Sequence, residues 1–497
     1  MAEAVMLAFD VGTSGVKASM ISQSGEALAS ATRQYPTFYA PGGIAEQAPD
    51  DWWRQICAAT KELGERNADA MRRIAAIGVS GHMLGCVPVD SGGTPLCNAM
   101  IHSDSRAMEQ FRQAGDRVGA EAFYAMSGNV LDARSSLCKI MWLKENEPHI
   151  YAETAKFLQC KDFVVSKLTG NIDTTDYSDA CHAELMDVVR RRYDADILRE
   201  VGVDLGKLPT LHASCEIVGM VTPVAAREMG ISSGIPVIAG GGDGACGSAG
   251  AGNIRVGDTY LSLGTTAWFS QVVDAPVIDP RRRVFNIMNL DGGTCSVYGA
   301  MQAAGGSITW LQSFLAMDDL DALNALAASA PQGSAGLVFL PYLDGERSPV
   351  FDAEATGVLI GLSHLHERRH VARAVFEGTS FALRSILDVF RERGEIQVAR
   401  AIGGGIHSAL WTQMIADICR LRLDILNIDS GDATSLGIAA AAGTAVGLYD
   451  NIHDALAYLH VERCVVPGGP NDAYEKNYQV YKELYPHCKD MMHALIQ

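Results

Sequence analysis

The stretch Pro236-Val237-Ile238-Ala239-Gly240-Gly241-Gly242-Asp243-Gly244-Ala245-Cys246-Gly247 lies near the middle of a chain of 497 residues. The apolar run 236–239 reads as a buried strand. Three glycines follow, and glycine lets a backbone approach another group closely. One carboxylate, Asp243, then stands just before a run of small residues, 245–252, that suits a helix packed tightly against a neighbour. An Asp at a strand-to-helix turn has two readings. It is either an N-cap, for which Asp is among the best residues, or a general base in a cleft. The stretch by itself favours the cap. The motifs around it favour the base.

Upstream, the apolar run 5–9 reads as a strand, and Asp10-Val11-Gly12-Thr13-Ser14-Gly15-Val16-Lys17 as a polar turn into a second strand, 16–21. Ser24-Gly25-Glu26 is a turn signal, and 27–35 a third strand. The opening is therefore an antiparallel meander with a polar first turn. That turn lacks the P-loop pattern. Its glycines, the hydroxyls of Thr13 and Ser14 and the carboxylate of Asp10 nevertheless suit a phosphate with its magnesium. Downstream, Asp258-Thr259-Tyr260-Leu261-Ser262-Leu263-Gly264-Thr265-Thr266-Ala267-Trp268-Phe269 repeats the strand–turn–strand pattern half a chain later. Such an echo suggests a duplicated fold, with two hairpins holding a polyphosphate across a cleft.

Between these lie further elements. Asp50 is read as the cap of an amphipathic helix running to about Arg66. Residues 74–80 form a strand ending in Gly81-His82-Met83-Leu84-Gly85, a loop placed where α/β proteins hold ligands. Ile101-His102-Ser103-Asp104-Ser105-Arg106 is a polar cluster opening a helix over 105–114. There Asp104 and Arg106 either pair with each other or reach for a polar ligand. Residues 137–146 and 161–169 are helical, with Lys139 and Trp142 on the first. Residues 173–179 form an acidic polar loop. Asp344-Gly345-Glu346-Arg347-Ser348-Pro349 is a polar, exposed loop, and 370–391 a long amphipathic helix. Ala401-Ile402-Gly403-Gly404-Gly405-Ile406-His407-Ser408 is a strand, a glycine turn and the start of a helix, where exposed N–H groups can hold an adenosine or a phosphate. The Ala- and Gly-rich run 437–448 reads as a helix against another backbone. Beyond about 451 helices alone are expected.

Composition narrows the class. The length suggests two or three domains, and 48% hydrophobic with 20% charged residues is an ordinary soluble balance. A net charge of −18 argues against nucleic acid or an anionic membrane as partner. The 12 cysteines contain no C-x-x-C pair, which reads as reduced thiols in a cytoplasmic protein. The first residues lack the basic region of a signal peptide, and no apolar run reaches the ~18 residues of a membrane span.

In this arrangement the chain resembles the FGGY carbohydrate kinases, relatives of the actin, hexokinase and heat-shock-chaperone ATPases. Residues 10–17 match the family's first phosphate loop, Gly240-Gly241-Gly242-Asp243 its catalytic G-G-G-D, and Ser262-Leu263-Gly264-Thr265-Thr266 its second phosphate loop. Residues 403–417, with Ser408, Trp411, Gln413 and Asp417, match its adenosine motif, and 340–349 a further family loop. The resemblance implies an α/β fold of two actin-like (RNase H-like) domains with a central cleft. Residues 1–247 would bind the sugar and carry the first phosphate loop and the catalytic Asp. Residues 248–497 would carry the second phosphate loop and the adenosine site. It implies transfer of the ATP γ-phosphate to a small sugar, with Asp243 as base and Asp10, together with Asp243, for Mg2+. Gly12, Thr13, Ser14, Lys17, Gly264, Thr265, Thr266, Gly404, Gly405, Ile406 and Ser408 would meet ATP. His82, Met83, Leu84, Asp104, Arg106 and Asp243 would meet the sugar. The nearest pattern is xylulose-kinase-like, which implies a ketopentose such as xylulose, with ribulose, fuculose, erythritol or erythrulose and gluconate as alternatives. A nucleotide-switched actin- or chaperone-like ATPase is the reading from another class. A homodimer is allowed. At the sugar the match breaks. Such kinases usually read G-Q-M-H-G where this chain has Gly81-His82-Met83-Leu84-Gly85, Asn where it has Gly244, and N-D-G-R where it has Ser103-Asp104-Ser105-Arg106. Leu84 removes a hydrogen-bonding side chain, and sites discriminate strongly on such losses. The departure therefore predicts a sugar or polyol other than D-xylulose, or one bound differently.

Overall fold

The computed structural model describes residues 3–428 and 430–496. The chain divides into two compact units, and the first is assembled from three segments: 1–256, 272–297 and 431–458. The second comprises 257–271, 298–430 and 459–497.

The first unit is built on a sheet that begins with the expected meander. Strands β1 (Val5–Val11), β2 (Gly15–Ser22) and β3 (Ala27–Gln34) pair antiparallel in sequence. On the other side of β1 lies β4 (Ile74–Gly81), parallel to it. Then come β5 (Ile217–Met220) and β6 (Pro236–Ile238), in the order β5-β6-β4-β1-β2-β3. A two-residue strand, β7 (Gly241–Gly242), also pairs parallel with β4. Leu7, Phe9, Val79, Trp52 and Phe163 belong to the core beneath this sheet.

Residues 243–250 form the expected helix of small residues, and its neighbour is the other small-residue run. That run is the helix Ser430–Ala445. A Cβ on Gly437 would collide with the Cys246 carbonyl oxygen, and one on Gly250 with that of Ala433. The same late helix lies against β4, where a Cβ on Gly78 would come 2.8 Å from the Ile438 side chain. Glycine is required here because two backbones touch.

The second unit repeats the strand logic. β8 (Thr259–Leu263) and β9 (Ala267–Val273) form an antiparallel hairpin. Its first strand lies parallel to β10 (Val398–Ile402), which lies parallel to β11 (Arg422–Leu426). An antiparallel strand follows, β12 (Val461–Val465), at a place where helices alone were expected. Its residues are mostly exposed, so its pattern carries little apolar periodicity. The helix Arg368–Arg391 is buried nearly all round, with Arg373 Nε donating to Glu377 Oε1 at 2.6 Å inside the protein.

Other expectations are corrected. The first helix begins at Pro49 with Ala48 at its N-cap, so Asp50 lies in the first turn and does not cap. Proline is preorganised for that first position. The helix expected from 105 starts at Met108, because Ser105 N–H is held by the Gly43 carbonyl at 2.8 Å. The acidic segment 173–179 is not a loop throughout: it holds a two-residue strand, Thr175–Asp176, and opens the helix Tyr177–His182, and Asp176 and Asp179 are buried. The loop 344–349 is not exposed throughout either. Glu346 is buried and accepts from the N–H groups of Gln302 and Arg347, both at 2.8 Å.

Candidate active site

Sheet register brings the first unit's candidates together. Asp10 on β1 and Gly241 on β7 both lie opposite Ser80 of β4, on its two sides. The carboxyl ends of three neighbouring strands therefore deliver Asp10, the loop after Gly81, and Asp243. Ligands of α/β proteins sit at such ends.

Asp243 is the first residue of its helix, whose N-cap is Gly242, and its side chain makes no cap bond. Its Oδ1 accepts from the Gly244 N–H at 2.8 Å. Its side chain is open to solvent yet densely surrounded by protein, and that surrounding pushes its pKa up to about 6. Asp10 is pushed up to about 7, first by burial and then by the charge of Asp243, with Lys17 acting the other way. Two acids raised toward neutrality beside each other form a site that welcomes a proton or a cation. Among the described residues no cluster of three or more His, Cys, Asp or Glu side chains could hold a metal. A magnesium ion carried by phosphates needs only one or two carboxylates, so the pair fits it.

The first turn is prepared for an anion. Its carbonyls are drawn inward: Gly12 O accepts from the Tyr35 hydroxyl, Thr13 O from Gln47 Nε2 at 2.6 Å, and Ser14 O from Tyr35 N–H at 3.4 Å. Ser14 is exposed and Thr13 half-buried, which leaves the turn open to a ligand, while the Gly12 N–H is taken by the Gly15 carbonyl at 3.0 Å. Lys17 is committed inside the unit, ion-paired with Asp432 and bonded to the Gly431 carbonyl at 3.1 Å. The second unit treats its own turn alike. Gly264 O accepts from Gly305 N–H, and Thr265 O from the N–H groups of Ala304 and Gly306, all at 3.0 Å. Thr265 is exposed and Thr266 half-buried.

In the glycine turn after β10, a Cβ on Gly403 would meet the Leu263 carbonyl oxygen at 2.5 Å, whereas one on Gly404 would meet nothing. Gly404 is open to a ligand, with Gly405 beside it half-buried. Ile406 is buried. Ser408 caps the helix Ala409–Cys419, accepting from Trp411 N–H at 3.1 Å. Gln413 and Asp417 tie down the segment near Gly468, whose N–H reaches Asp417 Oδ1 at 2.7 Å. This motif is thus mostly scaffold around the exposed Gly404.

In the loop after β4, His82 is buried, and neither ring nitrogen has a hydrogen-bond partner among the described residues. Burial pushes its pKa down to about 3, so the ring is neutral, with one donor and one acceptor. Trp52 packs edge-on to it at 5.5 Å. Met83 packs against Gly242, where a Cβ would lie 2.7 Å from its side chain. A Cβ on Gly244 would approach Ile287 Cδ1 to 3.2 Å. Leu84 is half-buried with φ of +61°. Asp104 is fully buried, and its carboxylate receives Arg106 Nε, Arg106 Nη2 at 2.6 Å and Ala45 N–H at 2.8 Å. Arg106 also reaches Glu46 and lies over Trp142. The pairing alternative therefore holds for these two, and they brace the loop.

Sequence reasoning missed what lies behind the site. Lys161 is completely buried and ion-paired with Asp162, Asp176 and Asp179, the last two at 3.0 and 3.2 Å. Asp176 accepts from Ser178 Oγ at 2.6 Å, and Ser178 Oγ accepts from Gly242 N–H at 2.9 Å, one residue before Asp243. Burial and its acidic neighbours hold Asp179 well above the usual carboxylate range, against the pull of Lys161. The signal was an isolated Lys-Asp pair within the apolar helix Cys160–Thr169.

The pattern of the FGGY family of carbohydrate kinases matches this chain twice, its N-terminal domain over residues 5–250 and its C-terminal domain over 259–446. The chain belongs to the FGGY family of carbohydrate kinases. FGGY relatives cover it from end to end. The xylulose kinase of Bacillus subtilis is 32% identical over 99% of this chain and 98% of its own. That of Escherichia coli is 30% identical over 98% and 99%. The crystal structure of ligand-bound xylulose kinase from Lactobacillus acidophilus superposes with a TM-score of 0.92 at 25% identity, covering 98% of both chains. Its two sheet-containing units give the chain the two-domain, actin-like α/β fold of the FGGY kinases. As an FGGY kinase the protein is an ATP-dependent phosphotransferase acting on a carbohydrate hydroxyl. None of its helices, among the described residues, is long and apolar enough to cross a membrane.

Proposed function

We propose that this kinase, a cytoplasmic enzyme, transfers the γ-phosphate of magnesium-bound ATP to a hydroxyl of a ketopentose, xylulose foremost. The observation that carries the reading is the delivery of Asp10, the His82 loop and Asp243 to one end of one sheet. Asp243 takes the proton of the attacking hydroxyl, and its raised pKa suits a base working near neutrality. Asp10 holds the cation, with Asp243 nearby. The Gly12-Thr13-Ser14 and Gly264-Thr265-Thr266 turns donate to phosphate oxygens, and Gly404 and Gly405 line the adenosine. His82 meets a sugar hydroxyl, which supplies the partner its buried ring lacks. Met83 and Leu84 shape the same loop, braced by Asp104 and Arg106. Phosphoryl transfer needs this kind of positioning and charge neutralisation more than covalent chemistry.

One observation favours a second reading, a different small sugar or polyol. His82 and Leu84 stand where xylulose-kinase-like sequences usually carry Gln and His. A coupled ADP-release assay over ketopentoses, tetroses, alditols and gluconate decides between the two. The expected result is D-xylulose as best substrate, with turnover lost in Asp243→Ala. A better polyol or aldonate establishes the second reading, and ADP release unaffected by every sugar overturns both.

A further inference from the structure

The two loops assigned to the sugar, 81–85 and 101–106, share one buried anchor. Lys139 lies on the helix Ser136–Asn146 and is completely buried. Its Nζ donates to the Leu84 carbonyl at 2.6 Å and to the Ile101 carbonyl at 2.7 Å. No carboxylate among the described residues lies within ion-pair distance of it, and the nearby Asp104 is already occupied by Arg106 and Ala45. A buried ammonium without a counter-ion is costly, and an apolar side chain of the same length would fold more easily. What this ammonium supplies is fixed geometry. Leu84 sits in the left-handed region, which a leucine keeps only when held there. Lys139 grips the carbonyl of that residue. The loop's next residue is held from the same helix: Ser136 Oγ donates to Gly85 O at 2.7 Å, while Gly85 N–H reaches Gln159 Oε1 at 2.8 Å.

We propose that Lys139 is a positioning residue that sets the separation of the two sugar loops and thereby the fit of the sugar. The inference rests on the reading that these loops hold the sugar. Its signature is a selective effect on one substrate, because the phosphate turns and the adenosine turn lie on other elements.

The test is steady-state kinetics of the full chain in both substrates, for Lys139→Met, Lys139→Arg and Ser136→Ala, with melting curves. Losing charge-assisted bonds at this position should raise the sugar KM about 10- to 100-fold in Lys139→Met. The ATP KM should stay within about twofold of wild type, because no bond to the nucleotide is touched. Lys139→Arg should recover part of the loss, and Ser136→Ala should shift the sugar KM in the same direction by less. A second readout needs no variant. Burial pushes the Lys139 ammonium down to about 8, with Asp104, Cys86 and Asp132 favouring its charge and Arg134 opposing it. The neutral amine donates more weakly, so the wild-type sugar KM should rise above about pH 8, and this rise should be absent in Lys139→Met. A folded Lys139→Met with an unchanged sugar KM, or with both KM values raised alike, overturns the proposal. If that variant does not fold, an unchanged sugar KM in Ser136→Ala together with a flat wild-type profile overturns it. If the wild type turns over no sugar at all, the functional reading falls first and this inference with it.

Discussion

At the scale of single residues, the two raised acids tie activity and stability to pH in opposite senses. Asp243 titrates near 6 and Asp10 near 7, both above the ordinary 3.8. Between those values the folded protein holds protons that the unfolded chain has lost. Their contribution to stability is therefore present at low pH and is lost as pH rises through 6 to 7. We expect Asp10→Asn to melt higher than wild type at pH 8, with the gap closing toward pH 5, as read by thermal unfolding. Catalysis runs the other way: kcat/KM should fall as pH drops below about 6 and Asp243 gains its proton. Asp243→Ala should lower kcat by about 10²- to 10⁴-fold with the fold intact, checked by circular dichroism beside the assay. Lys161→Met should cost about 3–5 kcal/mol, because it strands three buried acids. Chemical denaturation measures that loss.

At the scale of elements, the helix bearing Asp243 meets its neighbour backbone to backbone at Gly250 and Gly437. Gly250→Ala and Gly437→Ala each force a methyl group into a carbonyl. Overpacking of this kind costs about 1–3 kcal/mol. Because the displaced element carries Asp243, the proposed base, kcat should fall along with Tm. A surface Gly→Ala at Gly394, where a Cβ meets nothing, should leave both unchanged. These elements also show what the sequence could tell. The meander, the glycine-rich turns and both small-residue helices were legible because each is written in adjacent residues. Asp176 and Asp179 passed as part of an acidic polar loop because their burial depends on Lys161, which comes before them in sequence but meets them only in the fold. Lys139 passed as an ordinary helical lysine. Yet nearly every residue from Ser136 to Leu143 is buried, so the first two turns of that helix have no wet face on which to put a charge. The unpartnered nitrogens of His82 had no trace in sequence at all, since a lone histidine looks the same whether satisfied or not.

At the scale of the whole molecule, the first unit is not a contiguous stretch of chain. Segment 431–458 returns to it after more than 130 residues spent in the second unit. A fragment ending at residue 256 therefore lacks the helix that covers Gly78 and Gly250. We expect it to aggregate or to melt without a cooperative transition, and to recover solubility when segment 431–458 is co-expressed. A soluble, cooperatively folded 1–256 fragment would contradict this. Two-domain kinases are often drawn as two beads on a string. This chain is threaded, and its family pattern, matched over 5–250 and 259–446, follows homology rather than the course of the backbone.

The late return of that helix bears on how the enzyme is made. Asp243 leaves the ribosome long before Gly437, the glycine its helix rests against, and translation at about 5–20 residues per second separates the two by roughly 10–40 s. During that interval a nascent chain already owns the acid but not the surface that aims it. Competence for turnover should therefore arrive only after translation has passed that glycine.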